Sequence, residues 1–326
     1  MRRAHPSHGP VARRSVQRLD GDIMSAIKKI GFIGLGVMGE PMCRNLAQKC
    51  GVPVVACDID PEPLRRVAAH GVAGADVPAI MRDCDVVFLS LPSGEVVDRI
   101  VRADDGLLAG ARDGQIVIDL STSPVDTTRQ LAADFATRGV AFLDAPVART
   151  RAAAEAGTLS VMVGGDAATF ESVRPLIATF ASEITLCGPV GSGQVVKILN
   201  NMVLFETVVA LSEARAIARR SGVDPQVLLD TLSRGSADSF ALRNHGLKAI
   251  LPGDFPEKAF PVQYARKDLR YALLLAEQTG VQAFGARNVD HWFEAALQRG
   301  DGNRYWPVVS RAIDAEPETS SSVDTP

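Results

Sequence analysis

Along the first half of the chain, short continuous apolar runs alternate with stretches in which apolar residues recur every three or four positions. Residues 28–33, 52–57, 84–91, 115–119, 140–144, 159–163 and 183–187 read as strands, with another short one near Val72. Helical spacing follows Gly39 through Met42, Leu46 and Ala47, and Pro61 opens the next helix. Such alternation predicts an α/β domain with a parallel, doubly wound sheet. The pattern changes near Gly191. Val196, Leu199, Val203, Ala210 and Ala214 hold helical spacing over 195–220, with no proline until Gly222 and Pro225 end the run. Residues 225–232, 260–278 and 286–298 are helical too, so an all-α C-terminal domain is predicted, entered through one long interdomain helix. The resulting division is 1–26 as an extension, 27–190 as the α/β domain, 191–313 as the all-α domain and 314–326 as a tail.

Composition narrows the range of functions. The chain has 326 residues, 46% hydrophobic and 22% charged, as expected of a soluble protein of two domains. The formal charge is -3 with no basic block in the body of the chain, which argues against nucleic acid or an anionic membrane as partner and favours a small molecule. No apolar run approaches the roughly 20 residues that span a bilayer. Cys43, Cys50, Cys57, Cys84 and Cys187 form an odd set without a CxxC pair, so neither a disulfide framework nor a zinc site is expected; no metal site is predicted, and the compartment reads as reducing and cytoplasmic. Residues 1–26 are rich in arginine and end just beyond Met24, the expected start of the natural protein. A transit peptide is the competing reading, opposed by Asp20 and Asp22. The last residues, rich in Glu, Ser, Thr and Pro, read as disordered.

Two constellations carry chemistry. Gly34-Leu35-Gly36-Val37-Met38-Gly39 follows a strand and opens a helix, the context in which a GxGxxG turn holds a pyrophosphate on backbone amides. Asp58 ends the next strand, at roughly the 20-residue spacing where a carboxylate meets the adenine ribose hydroxyls. NAD is therefore the expected cofactor, with NADP left open by Arg65 and Arg66 nearby. Lys197 and Asn201 lie four apart near the start of the long helix and share a face, so an ammonium and a carboxamide stand together as a grip on a hydroxyl or carbonyl.

Four segments in order, residues 31–39, Asp119-Leu-Ser121-Thr122-Ser123-Pro124, Asp144-Ala145-Pro146-Val147 with Gly157-Thr-Leu159, and 191–201, resemble the β-hydroxyacid dehydrogenase family, the 6-phosphogluconate dehydrogenase-like group that includes 3-hydroxyisobutyrate dehydrogenase and tartronate semialdehyde reductase (2-hydroxy-3-oxopropionate reductase). The likeness covers roughly residues 27 to 300 and implies a Rossmann domain followed by a helical one. It implies further that Lys197 is the general acid and base, that Asn201 orients the substrate oxygen, and that Ser121 and Thr122 hold the substrate carboxylate. By the same resemblance Leu91, Pro92 and Ser93 flank the nicotinamide ribose. Lys267 is expected to close over the cofactor, and Asp268 and Phe240 to line the substrate side, with Gly235 to Phe240 and Asn244 forming a wall. A homodimer or homotetramer is implied as well.

In that reading a hydride leaves the carbinol carbon of a small 3-hydroxy acid, giving its semialdehyde, while Lys197 takes the hydroxyl proton. An ammonium removed from water beside a cationic ring gives up its proton more readily than in solution. None of His5, His8, His70, His245 and His291 falls in these motifs, which disfavours a histidine-driven dehydrogenase. The chain departs from the family where Ser-Gly-Gly is usual after Pro-Val: here stand Ala148-Arg149-Thr150-Arg151. The Pro-Val-x-Arg-Thr pattern resembles the sulfolactaldehyde reductase branch, so Arg149 and Thr150 are expected to meet a second anionic group on the substrate. An imine reductase of the same fold is the alternative, opposed by Lys197; a noncatalytic NAD-binding module is another, opposed by the presence of both Lys197 and Asn201.

Overall fold

The computed structural model describes residues 27–257 and 259–315. The extension read at 1–26 and the tail from 316 onward lie outside these. The chain divides into two compact units that part between Lys197 and Ile198.

The first unit holds β1 (Ile30–Ile33), α1 (Gly39–Lys49), β2 (Val54–Cys57), α2 (Pro61–Ala68), β3 (Ala73–Gly74), α3 (Val77–Asp83), β4 (Val86–Leu89), α4 (Gly94–Arg102), β5 (Ile116–Asp119), α5 (Val125–Ala136), β6 (Ala141–Asp144), β7 (Val147–Ala148), α6 (Arg151–Ala156), β8 (Leu159–Gly164), α7 (Ala167–Ile177) and β9 (Ala181–Gly188), and the first turns of α8 (Ser192–Arg220). The strands form one sheet in the order β3-β2-β1-β4-β5-β6-β8-β7, with β9 paired to β8. Side chains of a strand alternate between faces. Ile30, Phe32, Val86 and Phe88 thus join one apolar cluster, while Ile33, Val87, Leu89 and Val117 join another on the opposite face. Helices cover both faces, which is why these strands read as unbroken apolar runs.

The expectation of a wholly parallel sheet needs correction. β1 to β6 pair in parallel, but β8 runs antiparallel to both β6 and β7. The chain continues from β6 through Ala145 and Pro146 into β7 in the same sense, and the short α6 with its left-handed Gly157 turns it straight back into β8. One extended stretch therefore lies along two parts of the same partner strand, Asp144 opposite Gly164 and Val147 opposite Val161.

The second unit contains the remainder of α8, then α9 (Pro225–Leu232), a π-helix (Leu242–Ile250), α10 (Val262–Thr279), α11 (Phe284–Gln298), a 3-10 turn (Trp306–Val308) and α12 (Val309–Ile313). Its core gathers around Phe205, whose ring meets Trp306 at 4.8 Å and Phe293 at 5.4 Å, all three fully buried. The π-helix was not foreseen, because its wider hydrogen-bond register leaves no mark on a period of 3.6.

Two boundaries shift. The sequence reading divided the domains at 190/191, yet the first turn of α8 belongs with the sheet because its amides bond to Asp144. Asp314, assigned to the tail, is gripped by Arg215 at 3.1 Å and Arg219 at 2.8 Å, which tie it to the last turns of α8. Contrary to the expectation from the apolar runs, α8 has the length and composition to span a bilayer. The helix instead supplies core: Phe205, Val208, Val209 and Leu211 are buried within the second unit.

Candidate active site

The glycine turn after β1 has the spatial signature of a phosphate cradle. Gly34 adopts φ +94 and a Cβ there would lie 2.3 Å from the Ser90 carbonyl; at Gly39 a Cβ would lie 2.1 Å from the Gly34 carbonyl. Gly36 faces open space with no atom within 4 Å. Two glycines thus close the turn and pack α1 against it, while the middle one leaves room for an anion near the α1 N-terminus. Leu35, Val37 and Met38 lie in this turn, and Met38 caps α1 without a side-chain hydrogen bond. These residues fit a dinucleotide. Asp58 accepts from the Leu35 amide at 2.5 Å and the Asp60 amide at 2.8 Å, so it fixes the turn against the end of β2. Of the nearby arginines, Arg66 is held bidentately by Glu40 at 2.7 and 2.8 Å, which keeps Glu40 below the usual carboxylate range, and Arg65 is paired with Glu62.

Three strand-end loops of the first unit are joined by a buried polar network. The Leu91 amide donates to Ser121 Oγ at 2.9 Å. Asp119, at the end of β5, accepts from the Ser121 amide at 2.9 Å and from Ser123 Oγ at 3.2 Å. Gln194, in the first turn of α8, donates through Nε2 to the Ser121 carbonyl at 2.8 Å and accepts from the Ser123 amide at 3.0 Å. Asp144, at the end of β6, accepts from the Gly191 amide at 2.7 Å and the Gln194 amide at 2.8 Å. A helix leaves its first amides without internal partners, and here a carboxylate from another strand supplies them. Asp119 and Asp144 stand opposite each other in the sheet. Burial pushes each carboxyl up to about 6, against the pull of the amide and hydroxyl donors.

Lys197 follows one turn after Gln194 and is buried. Pro92 lies in the turn between β4 and α4, whereas Ser93 caps α4 by accepting from Val96. Thr122 is half-buried between Ser121 and Ser123. Arg149 and Thr150, in contrast, are exposed. Thr150 caps α6, and Arg149 donates through Nη1 to the Thr158 carbonyl at 2.6 Å and to Ser182 Oγ at 3.0 Å. Arg149 is also the non-glycine residue with positive φ, at 87, among the described residues.

In the second unit, Asn201 Nδ2 donates to Asp268 Oδ2 at 2.8 Å, and Asn201 Oδ1 accepts from Asn200 at 3.2 Å. Lys267 pairs with Asp268 Oδ1 at 2.9 Å and lies 5.0 Å from the centre of the Tyr271 ring. Asp268, expected on the substrate side, thus bonds both Asn201 and Lys267. Phe240 is 53% exposed just before the π-helix, its ring edge-on to His245. His245 is buried, bonded to Tyr305 at 2.6 Å, and burial lowers its pKa to about 4, so it stays neutral at ordinary pH. Asn244 bonds the Phe240 carbonyl at 3.1 Å. Among the described residues no group of three or more His, Cys, Asp or Glu side chains could hold a metal. Asp119, Asp144 and Gln194 received no role from the sequence; the signal was available in the aspartates, charged residues closing otherwise apolar strands.

Residues 29–188 match the family model described as the NAD binding domain of 6-phosphogluconate dehydrogenase, and residues 191–305 match that of the NAD-binding domain of NADP-dependent 3-hydroxyisobutyrate dehydrogenase. The chain is 33% identical over 282 residues to 2-(hydroxymethyl)glutarate dehydrogenase of Eubacterium barkeri, covering 86% of this chain and 93% of that one. It is 37% identical over 265 residues to 3-hydroxyisobutyrate dehydrogenase of Pseudomonas aeruginosa, covering 78% and 86%. Among solved structures, 3-hydroxyisobutyrate dehydrogenase of Mycobacterium tuberculosis with L-serine superposes with a TM-score of 0.81 at 33% identity, covering 89% of this chain and 100% of that one.

Proposed function

The chain belongs to the β-hydroxyacid dehydrogenase family, and from that premise we propose that it interconverts a small 3-hydroxy acid and its semialdehyde with NAD, NADP being a possible substitute. The bound nicotinamide supplies the acceptor for the hydride that leaves the carbinol carbon. Lys197 takes the hydroxyl proton as the carbonyl forms and returns it in the reverse direction. Asn201, its amide aimed by Asp268, orients the reacting oxygen. Ser121 and Thr122 hold the substrate carboxylate, and the turn at Gly34 to Gly39 holds the dinucleotide, with Leu91, Pro92, Ser93 and Lys267 beside it. Asp58 and the pairing of Arg66 with Glu40 favour NAD over a 2′-phosphate.

The observation that supports this reading most is the burial of Lys197 one turn beyond a helix start bonded to the loop of Ser121. A solvated surface lysine would have no such anchorage. Arg149, on leaving Thr158 and Ser182, reads a second anionic group on the far end of the substrate, with Thr150 beside it and Phe240 limiting its size. The functional unit is a homodimer or homotetramer; the exposed Val196, Leu199, Val203 and Ile217 along α8 supply apolar surface for it. We place the enzyme in the cytoplasm, in keeping with its five free thiols.

The test is reduction of NAD, and of NADP in parallel, by 3-hydroxyisobutyrate, serine, glycerate, threonate and 2,3-dihydroxypropane-1-sulfonate, the alcohol that corresponds to sulfolactaldehyde. Turnover of at least one, lost by three orders of magnitude or so in Lys197→Ala with NAD affinity kept, is the expected result. Binding of NAD without turnover of any hydroxy acid would remove the proposal.

A further inference from the structure

We infer that Gln194 is a positioning residue, which sets the register of Lys197 against the Ser121-Thr122 loop through the two hydrogen bonds of its carboxamide. This inference rests on the dehydrogenase reading above. Gln194 is fully buried, and its side chain bridges both ends of that loop: Nε2 on the Ser121 carbonyl at 2.8 Å, Oε1 under the Ser123 amide at 3.0 Å. A carboxamide satisfies one donor and one acceptor in a fixed orientation, so the pair of bonds defines both distance and rotation.

The backbone of the same residue is fixed independently. Asp144 Oδ2 accepts the Gln194 amide at 2.8 Å while Oδ1 accepts that of Gly191 at 2.7 Å. The fit is close: a Cβ at Gly193 would lie 2.4 Å from the Met162 carbonyl and 2.8 Å from Asp144 Oδ2, and one at Gly164 would lie 2.4 Å from Asp144 Oδ1. With main chain and side chain both tied, the first turn of α8 can neither slide nor rotate. Lys197 lies on that rigid turn's extension, three residues on and so on a neighbouring part of the same face. The loop that Gln194 grips also bonds Leu91 through Ser121 Oγ. One side chain thus gauges the base against the loops assigned to the carboxylate and the nicotinamide ribose. A misplacement of about 1 Å in such a constellation costs on the order of a hundredfold in rate.

Gln194→Glu and Gln194→Met separate positioning from mere packing. A protonated glutamic acid reproduces the donor and the acceptor of the carboxamide, whereas its ionised form keeps the acceptor for the Ser123 amide and sets an oxygen without a proton against the Ser121 carbonyl. Buried glutamates of this kind reach pKa values of about 8–9. The ionisable groups around position 194 are Asp144, which accepts its amide, Asp119, which bonds the Ser121 and Ser123 it grips, Arg129, which lies against Gly191, and Lys197 one turn on; Gln194→Met, which adds no ionisable group, reports whatever pH dependence they contribute.

The expected result is a kcat of Gln194→Glu roughly tenfold or more below wild type near pH 9, recovering toward parity near pH 6, with Gln194→Met depressed throughout and NAD dissociation constants within about twofold of wild type. A ratio flat with pH, or kcat of Gln194→Met within twofold of wild type, would overturn the inference while leaving the dehydrogenase reading intact. A wild-type protein that turns over no hydroxy acid would remove both.

Discussion

Two loops of the first unit were both assigned to substrate, and they are built in opposite ways. Residues 121–123 sit over buried Asp119, bonded through main chain and side chains to Gln194. Arg149 and Thr150 are exposed, and Arg149 holds a left-handed conformation in which a side chain costs about 1–3 kcal/mol. In the first loop the Ser121 and Ser123 amides, their hydroxyls and the Ser121 carbonyl all have hydrogen-bond partners. The second carries strain and a long cation that has partners on its own sheet yet reaches solvent. Contacts common to every hydroxy acid belong on the first kind of loop, and contacts that distinguish one acid from another fit the second.

The largest expected effect bears on the rigid loop's frame. Asp144→Ala strips the Gly191 and Gln194 amides of their acceptor, and two buried amides left without partners cost about 2–5 kcal/mol, read from urea unfolding of the intact chain. A loss below about 1 kcal/mol would mean that the frame relaxes and that the contrast between the loops is weaker than drawn.

Titration gives the next effect, with a definite sign. Burial raises Asp119 to about 6 in the folded protein, above an unfolded value near 3.9, so the folded state takes up a proton first as pH falls. Wild type should therefore gain roughly 1–3 kcal/mol on Asp119→Asn between about pH 7 and pH 4, in unfolding curves taken across that range. A difference that shrinks as pH falls would show that the hydroxyl and amide donors outweigh burial at this site.

On the looser loop the expected changes are smaller and one has the opposite sign. Arg149→Gly relieves the left-handed strain and should be neutral or stabilising by about 1 kcal/mol, while raising KM for a substrate with a second anion roughly tenfold. Unchanged KM across the panel would return Arg149 to a purely local role with Thr158 and Ser182. Thr150→Ala removes the cap of α6 and should cost up to about 1 kcal/mol, with kcat for a monoanionic substrate within about twofold of wild type.

The strands, the glycine turn and the long helix were legible because each is specified by residues close in sequence: Gly34 and Gly39 by a turn, Val86 to Leu89 by an apolar run, and Val203 to Ala214 by a helical period. What the sequence concealed depends on partners far along the chain. Asp144 and Gln194 meet across 50 positions, and nothing local to either predicts that one carboxylate caps the helix of the other. The reversal into β8 escaped notice because β7 has two residues and forms by pairing with a strand not yet reached. Asp268 was singled out through resemblance, but its hold on Asn201 is a contact 67 positions apart that only three dimensions display.

The closeness of Asp144 to its glycine neighbours has a bearing on how this protein tolerates variation. In a saturation library sorted for folded protein, Gly164 and Gly193 should be among the columns where every replacement is depleted, since the smallest side chain already meets a carboxylate or a carbonyl at 2.4 Å. Gly74, on an edge strand with no atom within 4 Å of an added Cβ, should accept most residues. The two kinds of glycine look alike in the written sequence, and such a depletion map would trace the outline of Asp144 without a single measurement made on Asp144 itself.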